Sequence, residues 1–208
     1  MTGITREKAS QVAASYLGGE SLYLGTYYKT YAATDSQGRM WKFTYDGSIQ
    51  AEKKENGERV PADKPYKTEM VSPICTYEDI PTIQELVRQL RHKGAFSNSS
   101  TGIHIHVDAS SFDARTLRNL VNLFYSKEDL LFAALKVDPA RWAYCSPTDE
   151  RFIQELNRKR PQTMKAFQKI WYGGEDGSDL HYHQSRYHAL NLHSVFSHGT
   201  VEFRLFNS

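Results

Sequence analysis

The 208-residue sequence predicts an α+β protein with all of residues 1–208 in one domain. Three observations carry this. Ser100-Thr101-Gly102-Ile103-His104-Ile105-His106-Val107-Asp108 alternates polar and apolar residues with period two, as a strand does. Thr200-Val201-Glu202-Phe203-Arg204-Leu205 repeats that alternation. Several other segments carry apolar residues at helical spacing.

In chain order, Thr5 caps a helix over residues 5–17, with Ala9, Val12, Ala13, Tyr16 and Leu17 at helical spacing and Gly18-Gly19 ending it. A Tyr-rich strand over 22–33 follows, then a turn at Ser36-Gln37-Gly38, a return strand over 40–45 and a turn at Asp46-Gly47. Residues 51–65 are charged, hold two prolines and show no period, which predicts an exposed loop. Residues 67–72 form another strand, stopped by Pro73. Pro81 suits the first turn of a helix whose stripe is Ile83, Leu86, Val87 and Leu90, with Gly94 at its end. After the 102–108 strand, residues 113–125 form a helix with Leu117, Leu120, Val121 and Phe124 on one face. Ser126 with Asp129 resembles a capping box opening a separate helix to about residue 135. Helices over 149–158 and 162–171, a Gly- and Asp-rich loop over 173–179, and strands over 187–195 and 200–206 complete the chain.

Composition excludes some classes of function. The formal charge is only +2 and no basic run is long enough for a nucleic-acid track. Arg158-Lys159-Arg160 precedes a proline and reads as a solvated helix end. No apolar run is long enough to span a membrane and the N-terminus is polar, so the expectation is a cytoplasmic protein with no membrane partner. Cys75 and Cys145 form no CxxC pair and are expected to be reduced, with Cys145 a small buried residue.

On the first strand His104, His106 and Asp108 share one face, while Ile103, Ile105 and Val107 read as its core side. On the last strand Glu202 and Arg204 share a face opposite Val201, Phe203 and Leu205. Glu69, within Thr68-Glu69-Met70-Val71-Ser72, is a third charge inside an apolar strand. A buried charge needs a partner or a metal. Side by side, these strands would line a polar concavity where imidazole and carboxylate hold a divalent ion and arginine neutralises phosphate or carboxylate. The residues alone therefore define a metal-dependent enzyme or a binding module. Arg186, by residue type, suits a carboxylate clamp for an acidic or peptide substrate. His193 falls on the same face as Asn191 in the 187–195 strand, at a pocket edge. His181-Tyr182-His183 sits beside the 173–179 loop and reads as an exposed segment.

Lys67-Thr68-Glu69-Met70-Val71-Ser72-Pro73, then Gly102-Ile103-His104-Ile105-His106-Val107, then Asn191-Leu192 ahead of Gly199-Thr200-Val201-Glu202-Phe203-Arg204, resemble the ordered motifs of the amidoligase family. That family is related to glutamine synthetase and glutamate–cysteine ligase. Trp41-Lys42 with Asp46-Gly47-Ser48, and Arg141 with Tyr144-Cys145, fit further family segments. The resemblance implies a glutamine synthetase-like fold, a curved antiparallel sheet with helices packed on one face. It implies ATP-dependent formation of an amide bond between a carboxylate and an amine, through an acyl phosphate and with Mg2+ or Mn2+. By motif Glu69, His104 and Glu202 are metal ligands, and His106 faces the nucleotide phosphates. Arg204 stabilises the transferring phosphoryl group. Asp46 and Ser48 lie near the amine site, and Asn191 belongs to the substrate-binding set. Family members open with a Glu-x-Glu strand and continue past the Glu-x-Arg strand; here the chain begins at Met1 and ends at Ser208. The expectation is weak binding of metal and ATP, with ligase activity in question. A metal-dependent hydrolase built on His104, His106 and Glu69 or Glu202, and a catalytically inactive ligase-like binding domain, stand as alternatives.

Overall fold

The structure is a computed structural model and describes residues 1–180 and 182–208. It is α+β, and its strands pair antiparallel in three sheets. The single curved sheet implied by the resemblance is thus replaced by three smaller ones among the described residues. The fold divides into two compact units, Met1–Thr101 with Ser208, and Gly102–Asn207.

In the first unit, α1 (Arg6–Leu17) starts where Thr5 Oγ1 accepts the Lys8 N–H and stops at Gly18, which takes the left-handed conformation. β1 (Ser21–Tyr23), β2 (Tyr31–Thr34) and β3 (Met40–Tyr45) follow. The 22–33 stretch is therefore two strands of a hairpin: residues 24–30 turn the chain, with Lys29 at positive φ. β4 (Glu52–Glu55) and β5 (Glu58–Pro61) form a second hairpin where a loop was expected. Its turn is Asn56-Gly57, both at positive φ, the geometry that suits the twist of flanking strands. β6 (Thr68–Val71) completes a four-stranded sheet in the order β1-β2-β3-β6. α2 (Ile80–His92) follows a capped 3-10 turn. Alternation on β3 buries Trp41 and Phe43 against Ala9 and Ala13 of α1 and Leu86 and Leu90 of α2. The buried Arg6 guanidinium ties α1 to the carbonyls of Lys29, Lys64 and Lys67.

In the second unit, β7 (Gly102–Asp108) leads to α3 (Ala114–Ala134), capped by Asp113. α3 is one continuous helix: Ser126 opens no new one, because its hydroxyl bonds back to the Leu123 carbonyl. α4 (Glu150–Lys159) and α5 (Met164–Trp171) are capped by Asp149 and Thr163. The expected 187–195 strand is only β8 (Leu190–Asn191), after which the chain turns into α6 (His193–His198). β9 (Thr200–Asn207) lies between β7 and β8. Its Val201 and Leu205 pack into a core with Leu117 and Val121 of α3, Leu156 of α4 and Phe167 of α5. β7 is an edge strand of this sheet and is exposed along its length. Ile103, Ile105 and Val107 are 50%, 44% and 44% exposed, so they do not form the expected core side.

Candidate active site

The central strand places the site. β9 pairs His106 with Glu202 on one side, and β8 pairs Asn191 with Glu202 on the other. These residues form one row across three strands. Glu202 and Arg204, two apart on β9, share the face of that row.

Glu202 is 4% exposed and is surrounded by hydrogen-bond donors. Its Oε1 accepts from Arg204 Nη1 at 2.7 Å and lies 3.1 Å from His104 Nδ1 and 3.6 Å from His106 Nε2. Its Oε2 accepts from Asn191 Nδ2 at 2.5 Å. Burial pushes this carboxyl up, but the His104 hydrogen bond and the charges of Arg204, His104 and His106 outweigh it and hold it at about 2. At 3.1 Å, His104 Nδ1 is the ring nitrogen that donates to the ionised Glu202.

His106 is held from its other side. Its Nδ1 lies 2.8 Å from Thr200 Oγ1, and Thr200 Oγ1 is 2.8 Å from Ser194 Oγ. Burial lowers the His106 ring below its ordinary value, assisted by His104, His198 and Arg204 and opposed by Glu202. This imidazole is therefore neutral at pH 7 and can take or give a proton.

Arg204 is as buried as Glu202. Its Nε donates to the Tyr144 carbonyl at 3.1 Å, and its guanidinium lies 6.0 Å from the centre of the Tyr187 ring. Arg186 stacks on the same Tyr187 ring at 5.7 Å and on Tyr182 at 5.6 Å. The second unit thus gathers His104, His106, Asn191, Glu202 and Arg204, with Arg186 beside them through Tyr187.

Glu69, Asp46 and Ser48 belong to the first unit. Asp46 Oδ1 accepts both the backbone N–H and the hydroxyl of Ser48, closing the turn after β3. Glu69 pairs with Thr44 in the sheet, and both Glu69 and Asp46 act electrostatically on the buried Met1 amino group. His193 does not line the expected pocket edge: it is buried at the start of α6, with Nδ1 2.7 Å from the Tyr172 hydroxyl. His181 lies outside the described residues. Cys145 is fully buried with its thiol pushed up by burial, as befits a residue with no nucleophilic role.

Among the described residues no three His, Cys, Asp or Glu side chains are arranged to hold a metal ion. Glu202 is engaged by Arg204, His104 and Asn191, so as arranged it orients a histidine more readily than it coordinates an ion. A cavity of about 110 Å³ lies elsewhere in this unit, lined by Val121, Phe152, Trp171, His188, Leu190 and Leu192. Leu190 and Asn191 are neighbours on a strand and face opposite ways, so the cavity is not on the Glu202 face.

Sequence reasoning gave no role to Thr200, Ser194, Tyr144 or Tyr187. Thr200 and Ser194 carry no charge to betray a site. Tyr144 acts through its carbonyl, which no side-chain pattern reports.

An antiparallel sheet that buries a carboxylate–guanidinium pair beneath two imidazoles defines an α+β protein with a charged site able to meet an anionic ligand. No curated protein and no solved structure matches the chain. The family model described as "Putative amidoligase enzyme" matches residues 1–208, and the chain belongs to that family. No helix among the described residues is long and apolar enough to cross a membrane.

Proposed function

We propose that this chain is an ATP-dependent carbon–nitrogen ligase that joins a small-molecule or peptide carboxylate to an amine, with Mg2+ or Mn2+ as its ion. The family match supports the reaction class, and the buried Arg204–Glu202 pair beneath His104 and His106 is the observation that carries the assignment of residues. In this reading the substrate carboxylate oxygen bonds to the γ-phosphorus as the bond to the leaving ADP oxygen breaks. The amine nitrogen then attacks the acyl carbon, phosphate leaves, and a proton departs from nitrogen. Arg204 is the fixed cation for the transferring phosphoryl group. Glu202 holds that guanidinium and His104 in place. His106, neutral and backed by Thr200, faces the nucleotide phosphates as a hydrogen-bond partner. Arg186, stacked between two tyrosines, receives the substrate carboxylate. Asp46, Ser48 and Asn191 are assigned to substrate binding, and Glu69 to the metal. A divalent ion, when bound, would neutralise phosphate charge, and Mg2+ needs only one or two carboxylates beside the phosphates themselves.

Calorimetric titration of ATP into the protein tests this directly. Saturable heat that requires Mg2+ or Mn2+ and is lost in Arg204→Lys supports the assignment. No binding at millimolar ATP with either ion rejects it.

A further inference from the structure

Arg204 is held by more than its carboxylate. Its Nε donates to the carbonyl of Tyr144 at 3.1 Å. Its own carbonyl accepts from Arg141 Nη2 at 2.9 Å. The Arg141 carbonyl in turn accepts the Tyr144 N–H at 2.7 Å. These three bonds close a ring running Arg141 to Arg204 to Tyr144 and back to Arg141. Arg141 Nη1 also donates to the Phe206 carbonyl, so one guanidinium grips β9 on both sides of Leu205. Arg141 is 3% exposed and its turn is pinned from outside the ring. The Asp138 N–H donates to Asn207 Oδ1 at 3.1 Å, and the Cys145 N–H to the Arg141 carbonyl at 3.0 Å.

Gly102 belongs to the same device. A Cβ at this position would overlap the guanidinium of Arg141. The glycine that opens the histidine strand is the space in which Arg141 lies.

An arginine two residues from its carboxylate on a strand has several rotamers that keep the ion pair, and arginine carries large rotamer entropy. The ion pair alone does not choose among them. We infer that Arg141 is a positioning residue that fixes the guanidinium of Arg204 in one orientation, acting through the Arg141–Arg204–Tyr144 hydrogen-bond ring in the space that Gly102 leaves free. The inference rests on the proposed role of Arg204 for its functional meaning, though not for its geometry.

Hydrogen exchange of the Arg204 Nε–H, followed by NMR at mildly acid pH, tests the ring. The resonance is identified by its absence in Arg204→Lys. The Nε–H is expected to be protected in the unaltered protein. Its exchange should speed up by about tenfold or more in Arg141→Lys, which keeps the charge and loses the fork, and in Gly102→Ala, which displaces the fork without altering it. A purely structural Arg141 would lower the urea midpoint and leave this exchange unmoved. Solvent-rate exchange in the unaltered protein overturns the inference, and that measurement needs no variant to fold. Unchanged protection in either folded variant also overturns it. Titration with Mg2+ and ATP adds the functional readout: affinity weakened about tenfold in both variants supports positioning, and affinity equal to the unaltered protein contradicts it. If the unaltered protein binds no ATP, the ligase reading fails and the Nε–H comparison alone decides this inference.

Discussion

Glu202 and Arg204 lie two residues apart on β9 and meet at 2.7 Å, each only 4% exposed. A charge pair so far from water persists only when its remaining donors and acceptors are satisfied. Here Asn191 and His104 take up the rest of the carboxylate, while the Tyr144 carbonyl takes the arginine Nε.

That arrangement sets the acid stability of the fold. The Glu202 carboxyl, at 4.5 when unperturbed, is held at about 2 in the folded protein. A depressed carboxyl contributes stability above its unfolded pKa, and this is lost as pH falls from 4.5 towards 2. The contribution is about 3 kcal/mol. Urea unfolding across this pH range should show the loss in the unaltered protein and a flatter profile in Glu202→Gln.

His106 should titrate below the ordinary histidine value, because burial disfavours its charged form. Long-range nitrogen–proton NMR of the imidazole rings measures this. A midpoint at or above 6.5 would contradict the partial burial of the ring against Thr200 and Ser194.

Two glycines separate strain from overlap. Gly57 has φ +88 with open space around it, so Gly57→Ala should cost about 1 kcal/mol. Gly3 has φ +80, and a Cβ there would overlap the Gly94 carbonyl and the Phe96 ring. Gly3→Ala should cost more than about 2 kcal/mol, since it also disturbs the bridge between Thr2 and Phe96. Denaturant melts of the two variants give the comparison.

Glu128 extends the apolar stripe of α3 yet is a carboxylate 4% exposed. It accepts the Thr148 N–H at 2.9 Å and the Thr148 hydroxyl at 3.0 Å, tying α3 to the segment before α4. Glu128→Ala should cost about 1–3 kcal/mol by leaving the Thr148 N–H without its acceptor. Leu117→Ala, about three turns up the same stripe, should cost about 2–5 kcal/mol through the cavity it leaves. Thermal or urea unfolding measures both.

Much of this was legible from residues. Period two placed the strands of His104 and Glu202, and Thr5 with Gly18-Gly19 placed α1. The His104, His106, Glu202 and Arg204 faces followed from alternation alone, and the structure brings these four together. The misses have physical causes. Asn56-Gly57 is a strong hairpin turn, but charged flanking residues masked strands that lie at the surface. Ser126 can open a helix or bond back within one, and the choice depends on packing of the helix it sits in. Asn191 and His193 fit period two, yet the chain turns into α6 after Leu192 because tertiary contacts override a short local pattern. Ile103, Ile105 and Val107 alternate correctly, but alternation does not say whether a strand lies at a sheet edge.

The ligase assignment is tested most directly by following an oxygen atom. The protein is incubated with ATP, Mg2+, an amine and a carboxylate whose oxygens are 18O-labelled, across a panel of amino acids and short peptides. The account predicts 18O in the released inorganic phosphate, dependent on the carboxylate and abolished in Arg204→Lys. Amide formation with unlabelled phosphate, or labelled phosphate that persists undiminished in Arg204→Lys, would contradict it.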